Sequence, residues 1–434
     1  MKASFAVIFV CLAATIALAL GSVPLSLEPG MPKDVSAVKE HYGYIPVNPR
    51  YDANLFYWMF ESQRDPANDP VVLWLTGGPG CSSEVAIFFE NGPYKINPDM
   101  TLSDNPYGWN SFANLLYVDQ PADTGFSYAN QAYIKNQSMV ATEMFTFLQK
   151  FFQTYPQFAK SKFFITGESY AGHYIPAITA YILEMNAKGG YPKINLQAIA
   201  IGDGLIDPVS MAKSWGPFLY AHNLISSSDL AQTQEQFYGS CLPDIANGDY
   251  SEAFYDCNQV LQIALSAAGN VNVYDVREPC TYPPLCYDLS PIGKYLNLPA
   301  TRRKLGVGDR QWQACSGAAY APFESKDFEY SYRFDLPIIL KSIPVVIYNG
   351  NFDLVVDFYG TTEMLDTMIW PGKSGFNSAK NGTWIVDGKV AGSVRSSNGL
   401  TYLIVNNAGH MVPYNQPKNA LDMLYRLLNQ KPFA

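Results

Sequence analysis

Few folds can accommodate the hexapeptide GESYAG at residues 167–172 in the setting where this chain places it. A short apolar, β-prone segment (163–166) comes directly before it, and a stretch with helical periodicity and an early proline (173–183) follows it. A serine at the apex of so tight a turn needs small residues two positions away on each side, and glycine and alanine stand there. The segment predicts a strained strand–turn–helix junction that exposes the Ser169 hydroxyl as a nucleophile.

Such junctions also occur without any catalytic role, so the rest of the chain decides how to interpret this one. The chain has 434 residues, of which 48% are hydrophobic and 14% aromatic, so it can bury a large core and is too apolar for a disordered protein. Its formal net charge of −9 argues against nucleic acid as a partner.

Residues 1–21 have the layout of a cleaved signal peptide. A positive start at Lys2 is followed by an uncharged apolar run from Phe5 to Leu20 and by small residues that suit cleavage. The alternative is an uncleaved membrane anchor, although the run is short for a bilayer span. Since no other stretch is long and apolar enough, we expect no membrane span after cleavage. The destination is then the secretory pathway, with lysosome, vacuole and extracellular space all open.

The cysteine count agrees with that route. Cys11 lies in the signal peptide, and the mature chain keeps an even set of six: Cys81, Cys241, Cys257, Cys280, Cys286 and Cys315. An even set in a secreted chain predicts three disulfides, which six cysteines can form in many arrangements. Two Asn-x-Ser/Thr sequons predict glycosylation at Asn136 and Asn381.

Apolar β-prone segments alternate with stretches of helical periodicity along the chain. The strand candidates are 55–60, 71–75, 115–118, 163–166, 198–202, 343–348 and 402–405, and helical stripes cover 144–155 and 421–428. This alternation predicts an α/β-hydrolase fold with a central, mostly parallel sheet, in a single domain over 22–434. The pattern weakens at about 208–335, which we interpret as an inserted cap stapled by cysteines. Residues 22–40 are expected to form an extended arm.

Three polar side chains, Ser169, Asp353 and His410, follow three of these strands. Their order, serine, aspartate, histidine, is the α/β-hydrolase order, and parallel strands bring such ends to one edge of a sheet. Ser169 would attack a carbonyl carbon, His410 would carry the proton, and Asp353 would hold the imidazole tautomer. The structural alternatives are a solvated loop histidine and a capping aspartate. Asp357 is the runner-up acid, although it lies farther past the strand end.

The glycine-rich stretch 76–83 follows another strand, where an α/β-hydrolase finds its second oxyanion donor. We assign the two donors to the backbone N–H groups of Gly78 and Tyr170. A phosphate-binding loop is the alternative, but the stretch lacks the lysine and the spacing of a P-loop. The sequence therefore indicates neither a cofactor nor a metal ion.

Three stretches together resemble the serine carboxypeptidase family, in particular its carboxypeptidase Y and cathepsin A branch. They are WLTGGPGCSS (74–83), GESYAGHY (167–174) and AGHMVP (408–413), and the likeness extends over roughly 42–416. The resemblance implies an acid-pH exopeptidase that removes single residues from free C-termini through an acyl-enzyme. Its expected partners are therefore the C-termini of peptides and proteins.

Carried over by position, the family's clamp for the substrate carboxylate falls on Thr76, the Gly77 backbone, Glu90 and Glu168. Two adjacent acids cannot both ionise cheaply, so they share a proton and can donate a hydrogen bond to that carboxylate. We therefore expect peptide binding to weaken as pH rises. The alternative is a pair of solvated surface glutamates. Thr76 departs from the family's usual asparagine, which affects how tightly the clamp can close.

The resemblance also implies two substrate pockets. Positions for the departing residue are Phe89, Tyr287 and Met411, and positions for the residue before it are Tyr170, Leu205, Val355 and Val356. Their apolar character predicts hydrophobic preferences on both sides of the scissile bond, with plain core packing as the alternative. The implied disulfides are Cys81–Cys315, Cys241–Cys257 and Cys280–Cys286. Asp203 replaces a usual asparagine, and the sequence alone assigns no effect to that change.

Two other functions are compatible with the same triad. A carboxypeptidase-like acyltransferase would use an alcohol in place of water, and a protective or chaperone partner in a lysosomal complex would need no catalysis at all. The retained clamp favours hydrolysis over acyl transfer. It also argues against an esterase or lipase, which has no use for paired glutamates beside its nucleophile. The oligomeric state stays open, with a homodimer among the options.

Overall fold

The computed structural model describes residues 38–434, so the predicted signal peptide lies outside the described residues. Its strands are β1 (Glu40–Asn48), β2 (Ala53–Phe60), β3 (Val71–Leu75), β4 (Tyr94–Ile96), β5 (Leu102–Asp104), β6 (Asn114–Val118), β7 (Phe163–Glu168), β8 (Leu196–Gly202), β9 (Val345–Gly350), β10 (Gly382–Val386), β11 (Lys389–Ser397) and β12 (Leu400–Val405). Ten of them form one sheet in the order β1-β2-β6-β3-β7-β8-β9-β12-β11-β10, and β4 pairs only with β5.

The six middle strands of this sheet, from β6 to β12 in that order, pair in parallel. The outer strands β1 and β2 on one side, and β11 and β10 on the other, pair antiparallel. The central strands are short apolar runs buried on both faces, as parallel sheets covered by helices require. This is the predicted fold class, a mostly parallel sheet with helices around it.

Fifteen α-helices accompany the sheet in residues 38–434, and none of them has the length and apolarity that a bilayer crossing requires. They are α1 (Glu84–Phe89), α2 (Gln137–Thr154), α3 (Ala171–Lys188), α4 (Pro208–Ala221), α5 (Ser227–Gln236), α6 (Leu242–Asn247), α7 (Tyr250–Ala268), α8 (Ser290–Leu296), α9 (Pro299–Leu305), α10 (Gly317–Glu324), α11 (Leu336–Ile339), α12 (Phe358–Thr367), α13 (Lys373–Ser378), α14 (Val412–Asn415) and α15 (Pro417–Leu428).

Two separate hydrophobic cores lie on the two faces of the sheet, because successive side chains of a strand point to opposite faces. In β3, Leu73 belongs to the core that α2 and α3 cover, with Phe147 and Ile178 among its members. The next residue, Trp74, belongs to the opposite core, where Leu424 of α15 packs. Each fully buried side chain of this size contributes about 1.5–3 kcal/mol. The strand β7, which leads into Ser169, is thus held rigidly between two packed layers.

The chain leaves the sheet after β8 and returns to it at β9. Between these strands it forms the eight helices α4–α11, which include the region predicted as a cap. Two of the disulfides, Cys241–Cys257 and Cys280–Cys286, lie within this segment, and Cys81–Cys315 ties it to the glycine-rich loop after β3. These are the three pairs that the resemblance implies. A helical layer with few strands of its own gains much of its order from such staples.

The disulfide Cys81–Cys315 is expected to stabilise the fold more than Cys280–Cys286. The first bridge joins residues 234 positions apart and the second joins residues 6 positions apart. In the chain-entropy account, closing these loops contributes about 5 and about 2 kcal/mol. Guanidinium unfolding of the Cys81→Ser/Cys315→Ser and Cys280→Ser/Cys286→Ser proteins measures both, each double variant serving as control for the other. Equal losses of stability would contradict the loop-length argument.

The two sequons lie at the ends of secondary-structure elements. Asn136 is half-buried and caps α2, where its side chain accepts the Met139 N–H at 3.1 Å. Asn381 is exposed and comes directly before β10. Both stay predicted glycosylation sites.

Candidate active site

The candidate nucleophile stands at the turn between β7 and α3. Ser169 has a φ of +64°, a left-handed conformation that costs a non-glycine residue free energy and is frequent at functional turns. The surrounding backbone leaves no room for larger residues. A Cβ on Gly167 would lie 2.2 Å from a β3 carbonyl oxygen, and one on Gly77 would lie 2.3 Å from the Tyr170 nitrogen. The Gly202 carbonyl accepts the Ser169 N–H at 3.0 Å and fixes the turn.

Asp353 and His410 come together at the carboxyl edge of the sheet. They follow β9 and β12, which are neighbouring parallel strands. His410 Nδ1 lies 2.8 Å from Asp353 Oδ2, and both side chains are fully buried. The Val355 N–H donates to the other carboxylate oxygen at 3.1 Å, and the His410 N–H donates to the Tyr274 carbonyl at 2.7 Å. A ring held in this way through Nδ1 keeps Nε2 for proton transfer.

The runner-up acid, Asp357, is engaged elsewhere. Its carboxylate accepts the Ser214 hydroxyl at 2.7 Å and the Gly360 N–H at 2.9 Å, and so it caps α12. The other histidines of the chain also bond to groups outside this pair: His41, His173 and His222. The contacts therefore single out Asp353 as the acid beside His410.

A third buried acid, Asp203, lies against the same pair. Its Oδ1 accepts the Gly350 N–H at 2.8 Å, and ligand atoms of Asp203, Asp353 and His410 lie within 4.8 Å of one another. Burial, and then the charge of Asp353, raise the pKa of Asp203 well above its usual value. A protonated Asp203 can donate to Asp353. Two carboxylates and an imidazole this close together can also bind a cation. Both Asp353 oxygens already accept hydrogen bonds, so the position of that carboxylate is explained without an ion.

Two backbone N–H groups beside Ser169 have no acceptor in the part of the chain that the structure describes. These are Gly78, in the glycine-rich loop, and Tyr170, directly before α3; neither N–H donates to another group in residues 38–434. The loop packs directly on the turn, since Gly77 leaves no space for a Cβ between them. Free donors next to a nucleophile are what a developing oxyanion requires.

Glu90 and Glu168 form a buried carboxyl pair next to Ser169. They are 1% and 2% exposed, and each acid shifts the pKa of the other. Burial raises the pKa of both acids, that of Glu90 to about 7, and the charge of Glu90 raises the pKa of Glu168 further. The pair therefore holds a proton at acid pH. Because both side chains are buried, they are not a pair of solvated surface glutamates.

Thr76 completes the polar side of this region. Its hydroxyl accepts the Trp74 indole N–H at 3.0 Å, which leaves its own hydrogen available for donation. The Thr76 N–H is held by the Ser83 hydroxyl at 3.2 Å. A threonine here thus offers one donor in a fixed place, where an asparagine would offer an amide.

A cavity of about 520 Å³ opens in front of Ser169. The predicted residues that line it are Thr76, Gly77, Gly78, Glu168, Ser169, Tyr170, Leu205, Val355, Val356, His410 and Met411. Four other predicted site residues are not among the residues that line it: Phe89, Glu90, Tyr287 and Asp353. Phe89 stacks on Tyr414 at 4.3 Å and lies 5.6 Å from Tyr287, so these rings form an aromatic cluster of their own.

The helical segment between β8 and β9, which includes the predicted cap, supplies lining residues that the sequence did not reveal. Trp215, Tyr274, Tyr320, Phe328 and Glu329 all face the cavity. Trp215 is anchored by a hydrogen bond to the Val355 carbonyl at 3.2 Å. These residues fall in the stretch where the hydrophobic pattern is weakest, so no periodicity marks them. Only the folding of the cap over the sheet brings them to the site.

Comparison with known proteins identifies one family over nearly all of the described chain. The family model for serine carboxypeptidases matches residues 29–430. Serine carboxypeptidase S10 family member 1 of Dictyostelium discoideum is 41% identical over 388 residues, which cover 88% of this chain and 92% of that protein. Serine carboxypeptidase 3 of Oryza sativa subsp. japonica is 40% identical over 412 residues, covering 93% and 82%.

A solved structure shares the fold. The crystal structure of Kex1Δp, a prohormone-processing carboxypeptidase from Saccharomyces cerevisiae, matches with a TM-score of 0.82 and 27% sequence identity, over 91% of this chain and 92% of that one. Both the family model and the relatives cover nearly all of the described residues. The chain therefore belongs to the serine carboxypeptidase family of peptide hydrolases.

Proposed function

We propose that this enzyme removes single C-terminal residues from peptides and proteins at acid pH, through an acyl-enzyme on Ser169. The observation that carries the proposal is the buried hydrogen bond between His410 and Asp353, at 2.8 Å, on a ring that lines the same cavity as Ser169. His410 takes the hydroxyl proton as Ser169 attacks the scissile carbonyl, and returns it to the leaving amine. A water molecule, activated by His410 in the same way, then attacks the acyl-enzyme ester and releases the shortened peptide.

Electrostatic stabilisation accompanies each step. The N–H groups of Gly78 and Tyr170 donate to the oxyanion of the tetrahedral intermediate, and Asp353 stabilises the imidazolium that forms on His410. The free state of both N–H groups in the described chain supports this assignment. The Asp353 carboxylate is well placed for its role because it is desolvated and keeps one oxygen for the ring.

Glu90 and Glu168 give the preference for a free C-terminus. Their pKa values lie above those of the free acids, so the pair is protonated below the raised pKa and donates to the substrate carboxylate, with Thr76 and the Gly77 backbone. As pH rises through about 7, to which burial raises the pKa of Glu90, the pair ionises and repels that carboxylate. Binding is therefore present at acid pH and is lost toward alkaline pH.

The cavity favours hydrophobic substrates. Met411 lies at the position for the departing residue, and Leu205, Val355 and Val356 lie at positions for the residue before it. The resemblance assigns Phe89 and Tyr287, whose ring centroids lie 5.6 Å apart, to the first of these pockets as well. The three disulfides fit an enzyme of the secretory pathway, with its final compartment in a lysosome, a vacuole or the extracellular space.

The clamp predicts that N-blocked Phe-Leu is cleaved at least about 10-fold more efficiently than its C-terminal amide at about pH 5, and that this difference shrinks toward about pH 8. In the double variant Glu90→Gln/Glu168→Gln both side-chain amides donate at every pH, so the ratio of acid to amide cleavage should become nearly independent of pH. The measurement is kcat/KM for both substrates across that range. A ratio near one at all pH values in the unaltered enzyme would show that these residues do not recognise the substrate carboxylate.

A matched control is Glu143→Gln. Glu143, on α2, is also a buried acid with a pKa raised by burial. It accepts hydrogen bonds from Tyr133 and Asn48 and lies away from the cavity. Its replacement should leave the pH dependence of the ratio unchanged. If neither substrate is cleaved although a fluorophosphonate still labels Ser169, acyl transfer to an alcohol becomes the better account of the site.

A further inference from the structure

One acid in the cavity has no part in the proposed chemistry. Glu329 lies in the cap, between α10 and α11, and lines the cavity in front of Ser169. It is 4% exposed, yet its carboxylate has no hydrogen-bond or ion-pair partner among residues 38–434. Buried acids without a partner cost folding free energy and are rare in native proteins. A cavity-lining acid of this kind therefore points to a ligand that supplies the missing partner.

Glu329 lies apart from the carboxylate clamp. Burial alone raises the pKa of Glu329, and neither Glu90 nor Glu168 contributes to it. Its chain neighbour Phe328 packs 5.2 Å from the Tyr170 ring, at the positions assigned to the residue before the scissile bond. A peptide whose terminal carboxylate is held at Glu168 has to send the rest of its chain toward this acyl half of the cavity.

The groups around Glu329 leave its charge unmatched. On the cavity side it faces Tyr320, whose own pKa it helps to raise, amid the apolar Trp215, Leu261 and Phe328. On its other side Glu329 lines a smaller cavity of about 190 Å³ with Asp207 and Arg333. Arg333 is already paired there with Asp207 at 3.3 Å.

We propose that Glu329 gives this enzyme a preference for lysine or arginine on the acyl side of the scissile bond, at the penultimate position or the one before it. The proposal rests on the proposed function, because it takes the direction of the bound peptide from the clamp. A basic head group would make the charge-assisted hydrogen bond that Glu329 lacks, and its aliphatic stem would pack on the apolar lining around it.

Protonation of Glu329 provides a second readout. Burial raises its pKa to about 8, so the free enzyme holds the side chain neutral at acid pH, where apolar residues also fit. A basic side chain binds the ionised form better. The preference for a basic residue should therefore grow as pH rises toward about 8, while the overall rate falls because the clamp ionises.

The experiment compares N-blocked tripeptides that share a C-terminal leucine and carry arginine or leucine at the penultimate or the preceding position. The arginine-to-leucine ratio of kcat/KM cancels the contribution of the clamp. At about pH 7.5 this ratio should be about 10-fold higher in the unaltered enzyme than in Glu329→Gln. It should rise between about pH 5 and about pH 7.5 in the unaltered enzyme only.

The matched control is Glu235→Gln, which removes the same charge from an exposed position on α5 and should leave the ratio unchanged. A ratio that Glu329→Gln does not change at either position would overturn the assignment while leaving the proposed function intact. No cleavage of any of the peptides would overturn the proposed function, and this assignment with it. If Glu329→Gln does not fold, the pH trend of the ratio in the unaltered enzyme decides alone.

Discussion

Replacing Ser169 by alanine should lower kcat/KM for N-blocked Phe-Leu by at least about 100,000-fold, because no other group can form the acyl-enzyme. The fold should not change. Alanine has the same Cβ as serine, so the packing of Gly77 against residue 169 is unchanged. The hydrogen bond from the N–H of residue 169 to the Gly202 carbonyl needs no side chain. The measurement is the initial rate at about pH 5, with near-UV circular dichroism to check folding.

Two controls make this loss specific. Ser266→Ala removes a hydroxyl from an exposed position on α7, where it bonds the Gln262 carbonyl, and should keep full activity. A fluorophosphonate should label the unaltered enzyme with one equivalent per chain and should not label Ser169→Ala. Full labelling of the alanine variant would show that another residue is the nucleophile and would contradict the proposed mechanism.

The sequence predicted the centre of the sheet better than its edges. The strand β3 has the predicted bounds, and β7, β8 and β12 contain their predicted segments, because strands buried on both faces read as uninterrupted apolar runs. The edge strands β10 and β11 were missed. They are half-exposed, carry lysine, serine and glycine, and gain their order from antiparallel pairing that no local pattern reveals. Residues 38–40 were assigned to an extended arm, whereas β1 already begins at Glu40.

The candidate site divides in the same way. Ser169, Asp353 and His410 could be selected because each follows a strand with a strong apolar signal, and chain order then limits their roles. The roles of Asp203 and Glu329 depend on contacts between distant segments. Asp203 matters because it meets Asp353 across neighbouring strands, and Glu329 because the cap folds over the cavity. Periodicity and motif spacing carry no information about such contacts.

Asp353→Asn should lower kcat/KM by about 10,000-fold while leaving substrate binding nearly unchanged. Both oxygens of the Asp353 carboxylate accept N–H groups, from Val355 and from His410 Nδ1. An asparagine has one carbonyl oxygen for these two donors. When that oxygen stays with Val355, the amide faces Nδ1 as a donor and stabilises the tautomer with its proton on Nε2, which cannot accept the Ser169 proton.

The neighbouring acids separate this role from general loss of charge in the site. Asp203→Asn keeps an acceptor for the Gly350 N–H and a donor toward Asp353, so its activity should fall by less than about 10-fold. Asp357→Asn alters the bonds of this side chain to Ser214 and to the first turn of α12, and should lower stability rather than kcat. Rates and unfolding midpoints for the three variants test this order. A larger loss of kcat in Asp357→Asn than in Asp353→Asn would transfer the catalytic carboxylate to Asp357, because only the acid that holds His410 can control its tautomer.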